Sequence, residues 1–148
     1  PPDGAAQAPG RALSGWIESN GEVMNEVPAG RGWRLNVRVR MDRPIKGLVI
    51  GAGIVTAMGL PLRTVWSAPT DVGEGPYLAT FDFSDIHFAT GLYHFVIGLS
   101  RDGVTFQQVH DAMTLYISDA TDLGGQERIV NTRSGLILDQ APVVIERT

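Results

Sequence analysis

The sequence predicts an all-β protein, an antiparallel sandwich of immunoglobulin-like or jelly-roll-like type with about eight or nine strands. Three observations predict it. Apolar residues alternate with polar ones at period two in several separate segments. Eighteen Gly and nine Pro cut the chain into short apolar runs, as turns between strands require. No segment keeps apolar residues at helical spacing for more than a turn or two. Strands that are apolar on one face need a second sheet to cover that face, because a single open sheet leaves it wet.

The elements come in this order. Residues 1–10, PPDGAAQAPG, lack side chains that anchor a core and read as a flexible linker tail, so the folded unit is expected over residues 11–148. RALSGWIE forms a first strand; Asn20-Gly21 supplies a tight hairpin turn, and EVMNEV pairs back. After Pro28-Ala29-Gly30 comes the clearest signal, in which Trp33, Leu35, Val37, Val39 and Met41 alternate with Arg34, Asn36, Arg38 and Arg40. That period puts five apolar side chains on one face and three guanidiniums on the other. IKGLVIGAGIVTAM continues with Leu48, Ile50, Ala52 and Ile54 on one face, while Gly51 and Gly53 opposite them leave room for a bend or a close ligand.

A turn at Met58 to Pro61 leads to LRTVWS, and residues 68–76, APTDVGEGP, read as a loop. YLATFDF alternates again. In the connection from Ser84 to Gly91, Ile86 and Phe88 are expected to plug one end of the core. GLYHFVIGLS places Tyr93, Phe95, Ile97 and Leu99 inward and His94 outward; the turn Arg101-Asp102-Gly103 returns through VTFQQVHD. AMTLYIS adds a strand with Met113, Leu115 and Ile117 inward and Thr114 and Tyr116 outward. A polar stretch comes next, and the isolated apolar run at residues 135–148 is a terminal strand suited to exchange between two copies of the chain.

Size and composition bound the function. The chain has 148 residues, the usual size of one domain, with 43% hydrophobic and 19% charged residues. The formal net charge is −4 and Lys46 is the one lysine, which argues against a nucleic-acid partner. There is no cysteine, so disulfides, thiolate metal sites and a cysteine nucleophile are excluded. No apolar run approaches the about 20 residues that span a bilayer, and the N-terminus lacks the regions of a signal peptide.

Catalytic and cofactor motifs are missing. The sequence contains no HExxH, GxSxG, GxGxxG or GxxxxGK[ST], and His87, His94 and His110 are dispersed, so neither a catalytic residue nor a cofactor is expected. Asp71 with Glu74, or Asp119 with Asp122, offers loop carboxylates for a calcium ion, although neither pair has EF-hand spacing and a solvated turn explains both. A glycosidase needs two carboxylates held across a groove, and no such pair stands out.

What remains is a binding surface. Arg34, Asn36, Arg38 and Arg40 offer donors to hydroxyl or acidic groups, and Trp66, Tyr116, His94 and Trp16 are rings on which a sugar can stack. Solvent-facing arginines on an ordinary strand, and tryptophans in a small core, are the plain alternative. The carbohydrate-binding set expected is therefore Arg34, Asn36, Arg38, Arg40, Trp66, His94 and Tyr116.

The order of these pieces resembles a known family. SGWIESNGEVMNEVPAGRGWRLNVRVRMDRPIKGLVIGAGIVTAMGLPL looks like the opening of the C-terminal domain of Wzt-type proteins, the ATP-binding subunits of polysaccharide ABC exporters. TGLYHFVIGLSRDGVTFQQVHDAMTLYIS is similar to the next portion of that domain, with Gly91, Tyr93, Leu99, Asp102 and Gly103 in corresponding places. The likeness spans about residues 12–118, with a weaker match at GLILDQAPVVIE, and departs at the glycine-rich GAGIVTAM. It implies a non-catalytic sandwich that recognises an O-antigen-type polysaccharide, at its non-reducing terminal region, before export. It also implies a homodimer, an upstream nucleotide-binding domain carrying the ATPase, a membrane subunit, and a cytoplasmic place at the inner face of the bacterial inner membrane. The competing reading is a structural or protein-interaction sandwich in which the arginine strand meets another subunit.

Overall fold

A computed structural model describes residues 7–84, 87–119 and 143–148. The strands are β1 (Gly10–Ser19), β2 (Glu22–Val23), β3 (Glu26–Pro28), β4 (Arg34–Met41), β5 (Ile45–Thr56), β6 (Pro61–Trp66), β7 (Thr70–Val72), β8 (Gly75–Asp82), β9 (Gly91–Arg101), β10 (Val104–Ser118) and β11 (Val143–Arg147). They form two sheets, one of five strands in the order β11-β8-β4-β1-β2 and one of six in which β3-β10-β9-β5-β6 is extended by β7 on β5. The expected β-sandwich is thus present. The surplus over the expected strand number comes from β2, β3 and β7, each of two or three residues.

The alternating segments bury the faces that their period dictates. Leu35, Val37, Val39 and Met41 from β4 meet Leu48, Ile50, Ala52 and Ile54 from β5 and Phe95, Ile97 and Leu99 from β9 in one core. Aromatic rings close one end. Trp33 stacks on Phe83 at 4.5 Å and lies 5.4 Å from Phe88 and 5.7 Å from Phe95. Phe88 therefore plugs the core as expected, while Ile86 lies outside the described residues.

Three readings of the elements need correction. EVMNEV is not one returning strand: only Glu22 and Val23 pair with β1, after which the chain crosses to the other sheet and β3 runs parallel to β10. Residues 68–76 are not all loop, because Thr70 and Val72 pair with β5 and Asp71 accepts a hydrogen bond from the Gly47 amide at 2.9 Å. VTFQQVHD and AMTLYIS form the single strand β10, whose register on β9 shifts between Val109 and Met113. Asp111 takes a positive φ of 52° inside that bulge.

Both hairpin turns read from Asn20-Gly21 and Arg101-Asp102-Gly103 are formed. Asn20 and Gly21, and likewise Asp102 and Gly103, have successive positive φ angles, the conformation that matches a two-residue turn to strand twist. At the amino end, Asp42 donates its amide to the Pro9 carbonyl at 2.8 Å and Arg43 reaches the Gln7 carbonyl at 2.7 Å, so residues 7–9 already lie on the sandwich. Residues 1–6 are outside the described set. Of the closing run at residues 135–148, only 143–148 is described; β11 lies antiparallel to β8 of the same chain.

Candidate ligand-binding face

The outer face of the six-stranded sheet is hollowed into a trough of ≈ 740 Å³, a volume in the range of small-ligand sites. Strand register explains the hollow. Trp66, Gly51, Gly98 and Gln108 form one row across β6, β5, β9 and β10. Thr64, Gly53 and Val96 form the next, and Val55, His94 and Thr114 the one after. Because the middle of the first row is glycine, side chains rise only at its two ends.

Trp66 fills the β6 end of the first row. A Cβ on Gly51 would meet the benzo part of the indole at 2.3 Å, so the ring lies down on the bare backbone of its cross-strand neighbour. The side chain is nevertheless 53% exposed. Glycine at 51 and tryptophan at 66 are thus one device: the glycine seats the ring, and the sheet holds it with surface free for stacking.

The polar groups come from β9, β10 and β6. His94 Nδ1 lies 3.2 Å from Thr114 Oγ1 and 3.9 Å from Asp111 Oδ1. The β10 bulge places His110 and Asp111 beside this pair on the trough wall. Arg63 also lines the trough, and its Nη1 is buried without a hydrogen-bond partner among the described residues. A buried donor of this kind costs free energy unless a ligand or water meets it. The arrangement offers a stacking surface together with hydroxyl, imidazole, carboxylate and guanidinium groups.

The expected site residues divide between two faces. Trp66 and His94 lie in the trough. Tyr116 is on the same outer face, opposite Leu92, but beyond the trough walls. Arg34, Asn36, Arg38 and Arg40 belong to β4 in the other sheet, and their face points away from the trough. The seven residues therefore do not form one cluster, since alternation shows which side a residue takes but not which sheet it joins. Asn36 is also not exposed: it is 3% accessible, its Oδ1 accepts from Thr80 Oγ1 at 3.0 Å, and its Nδ2 has no partner among the described residues. Arg38 stacks over Trp16 at 5.0 Å, Arg34 lies 3.9 Å from Asp82, and Arg40 lies 3.9 Å from Asp42.

Arg63, Thr64, Gln108 and His110 also line the trough, and no signal in the sequence marks them. The bulge that aligns His110 and the edge position of Arg63 leave no periodic signal. Gly51 and Gly53 did carry one, as side-chain gaps on a strand face. Among the described residues no group of three or more His, Asp or Glu is placed to hold a metal ion. Asp71 serves the Gly47 amide and the Glu74 carbonyl accepts from Arg147 at 2.8 Å; Asp122 lies outside the described residues. No described helix is long and apolar enough to cross a membrane.

No protein-family model matches this chain, and no curated protein matches it. A solved structure, the crystal structure of the C-terminal domain of wzt, is similar with a TM-score of 0.68 at 17% identity. The match covers 76% of this chain and 75% of that one. At this identity the likeness is one of fold, so the sandwich expected from the family resemblance agrees with it in architecture.

Proposed function

We propose that this domain binds glycan without catalysing its cleavage, and that the trough on the six-stranded sheet is its site. The observation that carries the reading is the Trp66 ring seated on Gly51, half exposed, beside a wall of polar groups. A pyranose has an apolar C–H face for such a ring, and hydroxyls of neighbouring units along the same glycan chain can meet His94, Thr114 and Arg63.

The sequence resemblance and the shared fold support a more specific reading. The ligand is an O-antigen-type polysaccharide, engaged near its non-reducing end, and the domain selects it for an ABC exporter. In that setting the chain before Gln7 joins the domain to an upstream nucleotide-binding unit, the ATPase resides there, and the protein acts as a homodimer at the cytoplasmic face of the inner membrane. Affinity of about 10 μM to 1 mM corresponds to roughly 4 to 7 kcal/mol, which suits one stacked ring and a few hydroxyl contacts.

The test is a titration of the domain with α-mannan, β-galactan, α-glucan and polygalacturonate, followed by NMR. The Trp66 indole N–H and the His94 amide are expected to shift with at least one of them. Shifts confined to Arg34, Arg38 and Arg40 would move the site to the other sheet. No shift with any polymer would remove the reading.

A second reading, a protein-interaction surface on the five-stranded sheet, is favoured by the Arg38–Trp16 stack over a strand whose Asn36 Nδ2 is buried and unmet. It predicts that Arg38→Ala weakens an assembly and leaves glycan shifts at Trp66 unchanged.

A further inference from the structure

Gly51, Gly53 and Gly98, three of the four glycines that line the trough, have different reasons to be glycine. Gly51 makes way for the indole, and Gly98 is buried with Trp66 above it. Gly53 has no such neighbour. A Cβ there would meet Thr64 Oγ1 at 3.5 Å and Val96 at 3.7 Å, ordinary van der Waals distances, and its φ lies outside the left-handed region. Neither packing nor backbone conformation calls for glycine, yet glycine in a strand interior weakens the strand.

Gly53 is partly exposed at the trough floor, in the row midway between Trp66 and His94, each about 7 Å away along the strand direction. Thr64 and Val96 flank it on the neighbouring strands. The floor at this point is backbone alone.

We infer that Gly53 is a specificity-determining position, where a sugar ring lies directly on the backbone of β5 between Trp66 and His94. The ring presents to the sheet a face carrying only C–H groups, because the floor offers no side chain to meet an axial hydroxyl. Its edge faces Thr64 on one side and the His94–Thr114 pair on the other. The inference rests on the glycan reading above and adds the seat and the face of the sugar.

The experiment uses whichever of the four polysaccharides shifts Trp66 most, titrated into wild type, Gly53→Ala, Gly53→Val and Trp66→Ala. Gly53→Ala is expected to melt no lower than wild type, to leave the Trp66 indole resonance of the free protein in place, and to bind at least tenfold more weakly. Gly53→Val is expected to abolish the shifts; if it fails to fold, the alanine variant decides. Binding by Gly53→Ala within twofold of wild type, while Trp66→Ala loses it, overturns the inference and leaves the glycan reading standing. If no polysaccharide shifts the wild type, both fall together.

Discussion

Trp66 and Trp33 show how burial separates two uses of one residue type. Trp33 is 2% accessible and packs among three aromatic rings, so its truncation leaves a large cavity. Trp33→Ala should lower unfolding free energy by about 3 to 5 kcal/mol, read from urea denaturation. Trp66 packs one part of its ring on Gly51 and leaves the rest to solvent, so Trp66→Ala should move the melting temperature little and weaken glycan binding at least tenfold. A Gly51→Val variant should do the same with the indole retained, by lifting the ring off its seat; an unchanged titration would show that the seat is irrelevant. Tyr93 adds a pH signature. Burial raises its pKa above 10.0 while its hydroxyl donates to the Ala89 carbonyl at 2.6 Å. The folded state therefore holds the phenolic proton more tightly than the unfolded state. Stability from this group is complete below pH about 10 and declines as pH rises through the raised value. Melting temperatures across that range should fall less steeply in Tyr93→Phe.

The elements were readable from the chain to different degrees. The faces of β4, β5, β8 and β9 follow from alternation alone, because a pleated strand sends neighbouring side chains to opposite sides whatever it pairs with. The turns at Asn20-Gly21 and Asp102-Gly103 follow from residues that tolerate positive φ. Strand β3 escaped because three residues hold too few periods to be recognised, and its parallel pairing with β10 is set by a crossover between sheets. The β10 bulge escaped as well. Its sequence, Val109 to Met113, continues a plausible strand, and the extra residues become visible only against β9. The bulge matters to the site because it brings His110 and Asp111 up to His94. Asp111 holds a positive φ there, so Asp111→Val should cost about 1 to 2 kcal/mol while Asp111→Gly costs little, measured by chemical denaturation. Equal stability of the two variants would mean the bulge relaxes.

For the whole molecule, two contacts outside the core join its parts. At one side, the Ala12 amide donates to Gln107 Oε1 at 2.6 Å and Gly15 lies against Met113, which ties β1 of one sheet to β10 of the other. At the far side, β11 covers the edge of β8 along five residue pairs. Removing residues 143–148 uncovers that edge, a row of unpaired backbone groups able to recruit another chain. The truncated protein is expected to melt lower and to form larger species than the full chain in sedimentation velocity, whereas an equally stable product of unchanged assembly size would show that β11 is dispensable.

By itself the sequence determined the class, most of the core and the sidedness of β4, β5, β8 and β9, because these depend on period, volume and turn chemistry within a few residues. Tertiary structure decided which strands are neighbours, and with them which outward residues share a surface. Arg38 and Trp66 both point outward on clean strands, yet they stand on opposite faces of the sandwich. Pairing order is a contest among long-range contacts, and period-two patterning satisfies many such orders equally well. The trough came from that contest: Trp66, Gly51, Gly98 and Gln108 are scattered along the chain and meet only through the register of four strands.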